Sequence, residues 1–387
     1  MSRMNIRSLV EQRGPFRSAI MLVLLCAVGL SAQGAGQGRG GRGQGQGQGQ
    51  GQGGRGGQGG PGRWIRVAPV PETNEERNGT VASGKLYLFG GNPVGINGAP
   101  PGAVWEYDPA GDKWTRKKNM PVAAHHLAVA ENGGKIYVFG GGVQRQAGGP
   151  NYVPVNNAWE YDPAADSWKA LAAMPAKRLA AVASVVGGKI YVMGGAGNYP
   201  TREDTSLDPN QPHRVLDLNQ AYDPATNTWT ARQTMPTPRN SMFTGVVNGK
   251  IYLIGGRLGS AFSSNGSATD IVEEYDPATD HWGFLKDRMP TPRDEGVAVA
   301  YNNHIYVAGG ESITALNNSV SRAFEAYDPA SNSWSSLPSI PGARYGIAGG
   351  LIGDRLYLVG GHITAAFGGG EPLNTGQQDA LDLSALR

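Results

Sequence analysis

The chain has 387 residues, 34 of them basic and 31 acidic, for a formal charge of +3. That surplus sits in residues 1–63, which hold eight Arg and one Glu, so residues 64–387 carry 34 − 8 = 26 basic and 31 − 1 = 30 acidic groups. A charge near −4 there excludes the basic footprint of a nucleic-acid-binding domain, and a single cysteine, Cys26, excludes a disulfide framework.

In chain order, Arg13 and Arg17 precede an apolar run, AIMLVLLCAVGL over Ala19–Leu30, with small residues around Ala32. A charged start, a short apolar centre and small residues predict a secretory signal peptide over residues 1–32. The run falls short of the ~20 residues of a membrane span, and an uncleaved anchor is the alternative. Val23-Leu24-Leu25 stands where a small residue is expected ahead of a lipidated cysteine, which argues against a lipid on Cys26. The expected location is periplasmic, extracellular or at the cell surface. Residues 33–63, QGAGQGRGGRGQGQGQ and its continuation, contain no hydrophobic residue beyond Ala35. Nothing there offsets the entropy of ordering, which predicts a disordered tether. Its Arg-Gly pattern is similar to RNA-binding segments but fits poorly behind an export signal.

Residues 64–387 repeat. Double glycines end six apolar runs, at Gly90-Gly91, Gly140-Gly141, Gly194-Gly195, Gly255-Gly256, Gly309-Gly310 and Gly360-Gly361, spaced by 50, 54, 61, 54 and 51 residues. Five Tyr-Asp-Pro turns follow the first five pairs, each with Trp seven positions after Tyr: Tyr107/Trp114, Tyr161/Trp168, Tyr222/Trp229, Tyr275/Trp282 and Tyr327/Trp334. The sixth unit has only ALDL, Ala380–Leu383. Trp64 opens the repeat region with WIRVAPVP, which matches the end of a unit. The spare piece at one end fits the piece missing at the other, which predicts a ring closed by pairing its termini.

Each unit reads as four strands. A small apolar first strand such as LAAVASVV (179–186) leads through a two-residue turn such as Asn248-Gly249 into the KIYVMGG-type second strand. A variable loop, the strand ending in Tyr-Asp-Pro and a fourth strand opened by Trp complete it. Small residues suit the crowded axis, and Tyr and Trp fill the space between splaying sheets.

Paired Gly, then Tyr, then Trp, at about 50 residues per unit, resemble the kelch repeat across residues 64–387. The resemblance implies an all-β, six-bladed β-propeller whose N-terminal strand closes the last blade. The loops between strands two and three share one face, the top, with the crossings between blades. Three residues after the proline closing each fourth strand stand Asn74, Ala124, Arg178, Arg239, Arg293 and Arg344, at the top near the axis. Guanidiniums around a concavity suit carboxylates, and related propellers use such arginines on acidic ligands. The alternative is that each Arg bonds carbonyls of the neighbouring blade and serves closure. Directly after the double glycines stand Asn92, Gly142, Ala196, Arg257, Glu311 and His362. Their polarity differs from blade to blade, as recognition positions can and scaffold positions cannot, and Glu295 and Tyr345 lie close in sequence to the Arg ring.

The candidate ligand-binding set is therefore Arg178, Arg239, Arg257, Arg293, Arg344, Glu311, His362, Tyr345 and Asn74. His125, His126, His213 and His362 also fall on top-face segments, but on separate blades with no close ligand spacing, so no metal and no cofactor is expected. The long loop of the third unit, Tyr199–Asp217, and the glycine-rich Ala365–Pro372 are further top-face segments, the latter without a phosphate-cradling layout.

The expected function is binding of an acidic peptide or protein, or of a carboxylated glycan, at the top face, by a monomer. No catalytic residue is assigned. The resemblance also implies enzymatic precedents. A copper-radical oxidase of galactose needs a Tyr joined to a Cys, which a chain cleaved after residue 32 does not have. A sialic-acid mutarotase would hold a carboxylate with Arg and move a proton with Glu311, Glu295 or Glu203. A structural envelope protein is the third reading.

Overall fold

A computed structural model describes residues 62–92, 100–202, 204–208, 213–259, 267–314, 317–364 and 373–386. The expected leader and nearly all of the tether lie outside them, as do Glu203 and the stretch 365–372. Among the described residues no helix is long and apolar enough to cross a membrane.

The repeats become six four-stranded antiparallel sheets. Their innermost strands are Asn78–Ala82, Ala128–Asn132, Val182–Val186, Phe243–Val247, Val297–Tyr301 and Ala348–Ile352, which define blades 1 to 6 and adjoin one another in a closed ring. Crowding at the axis explains their composition: a Cβ on Gly245 would lie 2.9 Å from Ile305 of the next blade. The ring closes as the repeat count demands. Ile65–Val67 pairs with Gln378–Asp382, in the register Ile65↔Ala380, Arg66↔Asp379 and Val67↔Gln378. In blades 2 to 5 the top loops start as short two-stranded ribbons directly after the double glycines, for example Glu311–Thr314 with Asn317–Val320.

The recurring turn joins blades. In five blades the Tyr hydroxyl donates over 2.5–2.8 Å to a side-chain oxygen five residues on: Asp112, Asp166, Asn227, Asp280 or Asn332. These residues have φ of 45–56°, a left-handed conformation that Asn and Asp tolerate better than most. The same oxygen accepts a backbone N–H from the preceding outer segment, at Ala68, Lys118, Ala172, Gln233 or Asp287. The indole of the Trp in that turn then donates to the carbonyl of Ala68, Lys118, Ala172, Gln233 or Asp287. One residue of each outer segment is thus gripped at both its N–H and its C=O by the next blade.

Candidate functional site

The arginine ring is not a mouth. Arg178, Arg239, Arg293 and Arg344 are at most 1 % exposed and turn into the blades they open. Each donates to the carbonyl of the first glycine of its own blade's pair: Gly194, Gly255, Gly309 or Gly360. Each also meets a third-strand side chain: Gln220 at 2.8 Å, Glu273 at 2.6 Å, Glu325 at 2.5 Å or Asp379 at 2.7 Å. Burial lowers all four guanidinium pKa values, Arg178 to about 9. Their backbone carbonyls accept N–H from Gly141, Gly195, Gly256 and Gly310 of the preceding blade. These residues therefore stitch blades together, which corrects the expectation that they grip a ligand. The carbonyls their side chains bond belong to their own blade, not to its neighbour. Asn74, at the equivalent position of blade 1, is buried too.

The two residues after each of these positions build the top of the axis. Glu75, His125, Leu179, Asn240, Asp294 and Tyr345 bridge, in antiparallel pairs, to Asn92, Gly142, Ala196, Arg257, Glu311 and His362. The next residues, Glu76, His126, Ala180, Ser241, Glu295 and Gly346, all have φ of 52–57°. They form a collar in which N–H donates to C=O from blade to blade: Glu76 to Gly346, Gly346 to Glu295, Glu295 to Ser241, Ser241 to Ala180 and Ala180 to His126. Below it lies a cavity of ≈ 90 Å³ whose wall includes Glu76, His126, Ser241 and Glu295. Arg77 also reaches this wall, but its guanidinium turns away to the carbonyls of Gly90 and Glu72 and the carboxylate of Glu72.

Arg257, Glu311, Tyr345 and His362, four of the expected residues, do converge here. Arg257 Nε lies 3.0 Å from Asp294 Oδ1, and Nη2 contacts Glu311 Oε1 and lies 3.4 Å from Glu295 Oε1. His362 Nδ1 lies 2.5 Å from Glu75 Oε2 and 2.8 Å from the Tyr345 hydroxyl. His126 Nε2 faces two carboxylates, Glu76 Oε2 at 3.2 Å and Glu295 Oε1 at 3.9 Å. Ser241 Oγ donates to Glu295 Oε1 at 3.1 Å.

Burial dominates the electrostatics. Desolvation, with Glu295 and Glu75 nearby, holds the Glu76 carboxyl well above the usual range. Desolvation likewise raises Glu311, and it raises Asp294 to about 7 although Arg257 opposes both shifts. Burial alone would weaken the charge on Arg257, but Asp294, Glu295, Glu311 and Glu76 together raise its pKa well above normal. Desolvation pushes His125 well down and His126 to about 3, so both rings are neutral. Four carboxyl groups act on one guanidinium, and two buried oxygens, Asp294 Oδ2 and Glu311 Oε2, have no hydrogen-bond partner among the described residues.

Sequence reasoning passed over Glu75, Glu76, Asp294 and Ser241, and set His125 and His126 aside because the histidines lie on separate blades. The ring cancels that separation: Glu76, His126 and Glu295 each place a ligating atom within 4.8 Å of the others. The signal was available in the dipeptides Glu75-Glu76, His125-His126, Leu179-Ala180, Asn240-Ser241, Asp294-Glu295 and Tyr345-Gly346, which vary as the positions after the double glycines do.

The KLHDC2/KLHL20/DRC7 Kelch-repeats domain family matches residues 210–361, and the Kelch motif family matches 123–175 and 177–236. The chain is 26% identical over 313 residues to Kelch-like protein terF of Aspergillus terreus, covering 78% of this chain and 65% of that protein. It is 29% identical over 281 residues to mouse Kelch-like protein 23, covering 72% of this chain and 44% of the relative. The chain thus spans about half to two thirds of these relatives. A solved structure titled "Structure of YjhT" superposes with a TM-score of 0.62 at 21% identity, over 80% of this chain and 96% of that one. Kelch propellers generally serve as protein-interaction scaffolds. Repeats, closure and relatives agree: the chain belongs to the kelch-repeat proteins and folds as a six-bladed β-propeller.

Proposed function

We propose that this chain is an interaction propeller whose top face selects positively charged ligands at the axial mouth. The observation that carries this reading is the imbalance of charge. Glu76 and Glu295 open on the axial cavity, Arg257 beside them is outnumbered by the four carboxyl groups that act on it, and the four arginines expected to invite an acid are consumed inside the blades. A carboxylate ligand would meet a wall of carboxyls there, whereas an ammonium or metal cation would relieve their mutual repulsion. The scaffold role rests on the kelch fold, and the sign of the ligand rests on the mouth.

The test uses the purified full-length protein and two fluorescent peptide pools, one rich in Lys and Arg and the other in Asp and Glu, read by anisotropy. Basic peptides should bind, more weakly as salt is raised, and Glu295→Gln should weaken them by about tenfold, roughly 1.4 kcal/mol. Binding of the acidic pool in their place would overturn the reading.

A further inference from the structure

We infer that Glu76, His126 and Glu295 form a binding site for a first-row divalent metal ion of the zinc class, set in the collar at the top of the axial cavity. This inference rests on the cation reading above and names the cation.

Geometry is the first support. Metal–ligand bonds of about 2.1 Å at a tetrahedral angle separate donor atoms by about 3.4 Å. His126 Nε2 stands 3.2 Å from Glu76 Oε2 and 3.9 Å from Glu295 Oε1, and the three groups lie within 4.8 Å of one another. Small side-chain rotations reach bonding distance. One imidazole with two carboxylates is a donor set for zinc or manganese rather than for a soft, thiolate-bound ion. Three protein ligands leave further coordination positions facing the cavity.

The second support is the histidine relay. His125 Nε2 lies 3.1 Å from the carbonyl of Asn151, which can only accept, so this nitrogen carries the proton. The other nitrogen of the His125 ring contacts His126 Nδ1, and one proton lies between the two. With that proton on His126 Nδ1, the Nε2 lone pair is the one turned towards Glu76 and Glu295. A partner for the other ring nitrogen, as His125 is here, is the usual companion of a metal-bound histidine. Tyr152 closes the arrangement from outside, with its ring centroid 4.5 Å from that of His125 and 5.6 Å from that of His126.

The third support is a contrast within the same mouth. Asp294, Glu295 and Glu311 form a second group with ligand spacing, but there the chain supplies its own cation, Arg257, which contacts all three. Glu295 is shared by both groups, so Arg257 also borders Glu76, His126 and Glu295 through that carboxylate, and in this group the imidazole supplies the nitrogen ligand.

The test is metal uptake by the full-length protein after EDTA treatment and dialysis, followed by calorimetric titration with Zn²⁺ and by visible spectra with Co²⁺ as a probe. One Zn²⁺ per chain is expected, with binding at least about 100-fold weaker in Glu76→Gln and in His126→Gln, since losing a ligand should exceed the 10–100-fold of an outer-shell change. The Co²⁺ bands of the wild type should be absent from His126→Gln. Melting temperatures without metal verify that the variants fold, and should His126→Gln unfold, the near-isosteric Glu76→Gln carries the test alone. No uptake, or equal uptake by wild type and Glu76→Gln, overturns the metal site. If basic peptides still bind in that case, the cation reading survives it; if neither binds, both fall.

Discussion

Arg293 shows how the repeat answers a question that a single blade cannot. In blades 3 to 6 an Arg at the crossing faces Gln220, Glu273, Glu325 or Asp379, two residues before the Tyr position. Blades 1 and 2 have Asn74 and Ala124 at the crossing, and Trp105 and Trp159 stand where the acid would be. Arg and a third-strand side chain that accepts its hydrogen bond, Gln in blade 3 and an acid in blades 4 to 6, are thus kept or lost together within one chain, as a structural pair would be and a ligand-gripping Arg need not be. Blade 1 recovers the missing contact by another route, since Arg77 Nε donates to the carbonyl of Gly90 at 3.4 Å. Replacing Arg293 by Ala should destabilise the fold by about 3–5 kcal/mol, because Glu325 is left buried without its cation. Arg293→Ala with Glu325→Trp, which copies blade 2, should recover at least about 2 kcal/mol of that loss. Urea unfolding of wild type, single and double variants measures both, and an unchanged midpoint for Arg293→Ala would restore the arginines to the ligand.

At the scale of the element, the Tyr-to-Trp turn was legible as a turn and as a repeat. Its role as a clasp was not, because its partners are remote: Gln233 and Asp280 are 47 positions apart. Asp280 holds the Tyr275 hydroxyl and the N–H of Gln233 from a left-handed backbone with φ of 56°. Asn, used at the same place by blades 3 and 5, keeps the accepting oxygen and tolerates that φ. Asp280→Asn should therefore be close to neutral. Asp280→Gly should lose two hydrogen bonds, about 1–3 kcal/mol, and Asp280→Ala should lose these and a further ~1–2 kcal/mol of backbone strain. Thermal unfolding that ranks Ala above Gly would contradict the account. The top loops show a different limit. They were readable as variable, but the ribbons that begin directly after the double glycines were not, since pairs as short as Gly142–Val143 with Val153–Pro154 carry no periodic signal.

For the molecule as a whole, closure was legible because Trp64 was visibly out of place, whereas the mouth was not, because blades 1, 2 and 5 each supply one of its three collar ligands. The ring is also unevenly fastened. Five boundaries carry the clasp, but at the sixth Leu381 replaces Tyr, and the residue four places after Trp334 is Pro338, which has no N–H to give. Trp64 Nε1 is buried there with no hydrogen-bond partner among the described residues. Blades 5 and 6 meet through apolar packing, including Trp64 against Phe324 at 5.6 Å, the backbone bonds Gly310 to Arg344, Arg344 to Ser321 and Gly346 to Glu295, and an exposed bond from Tyr301 to Asp354. Hydrogen exchange should therefore find the amides of Ser333–Ser336 and Gln378–Asp382 opening sooner than their counterparts in blades 2 to 4. Equal protection around the ring would refute it.

That uneven fastening bears on the collar, because Glu295 belongs to blade 5 and its carbonyl holds Gly346 of blade 6. An ion drawing Glu295 towards Glu76 and His126 would brace the loosest joint from the inside. The circle would then breathe less once loaded, and the calmer amides beside the joint would report an occupant that never touches them.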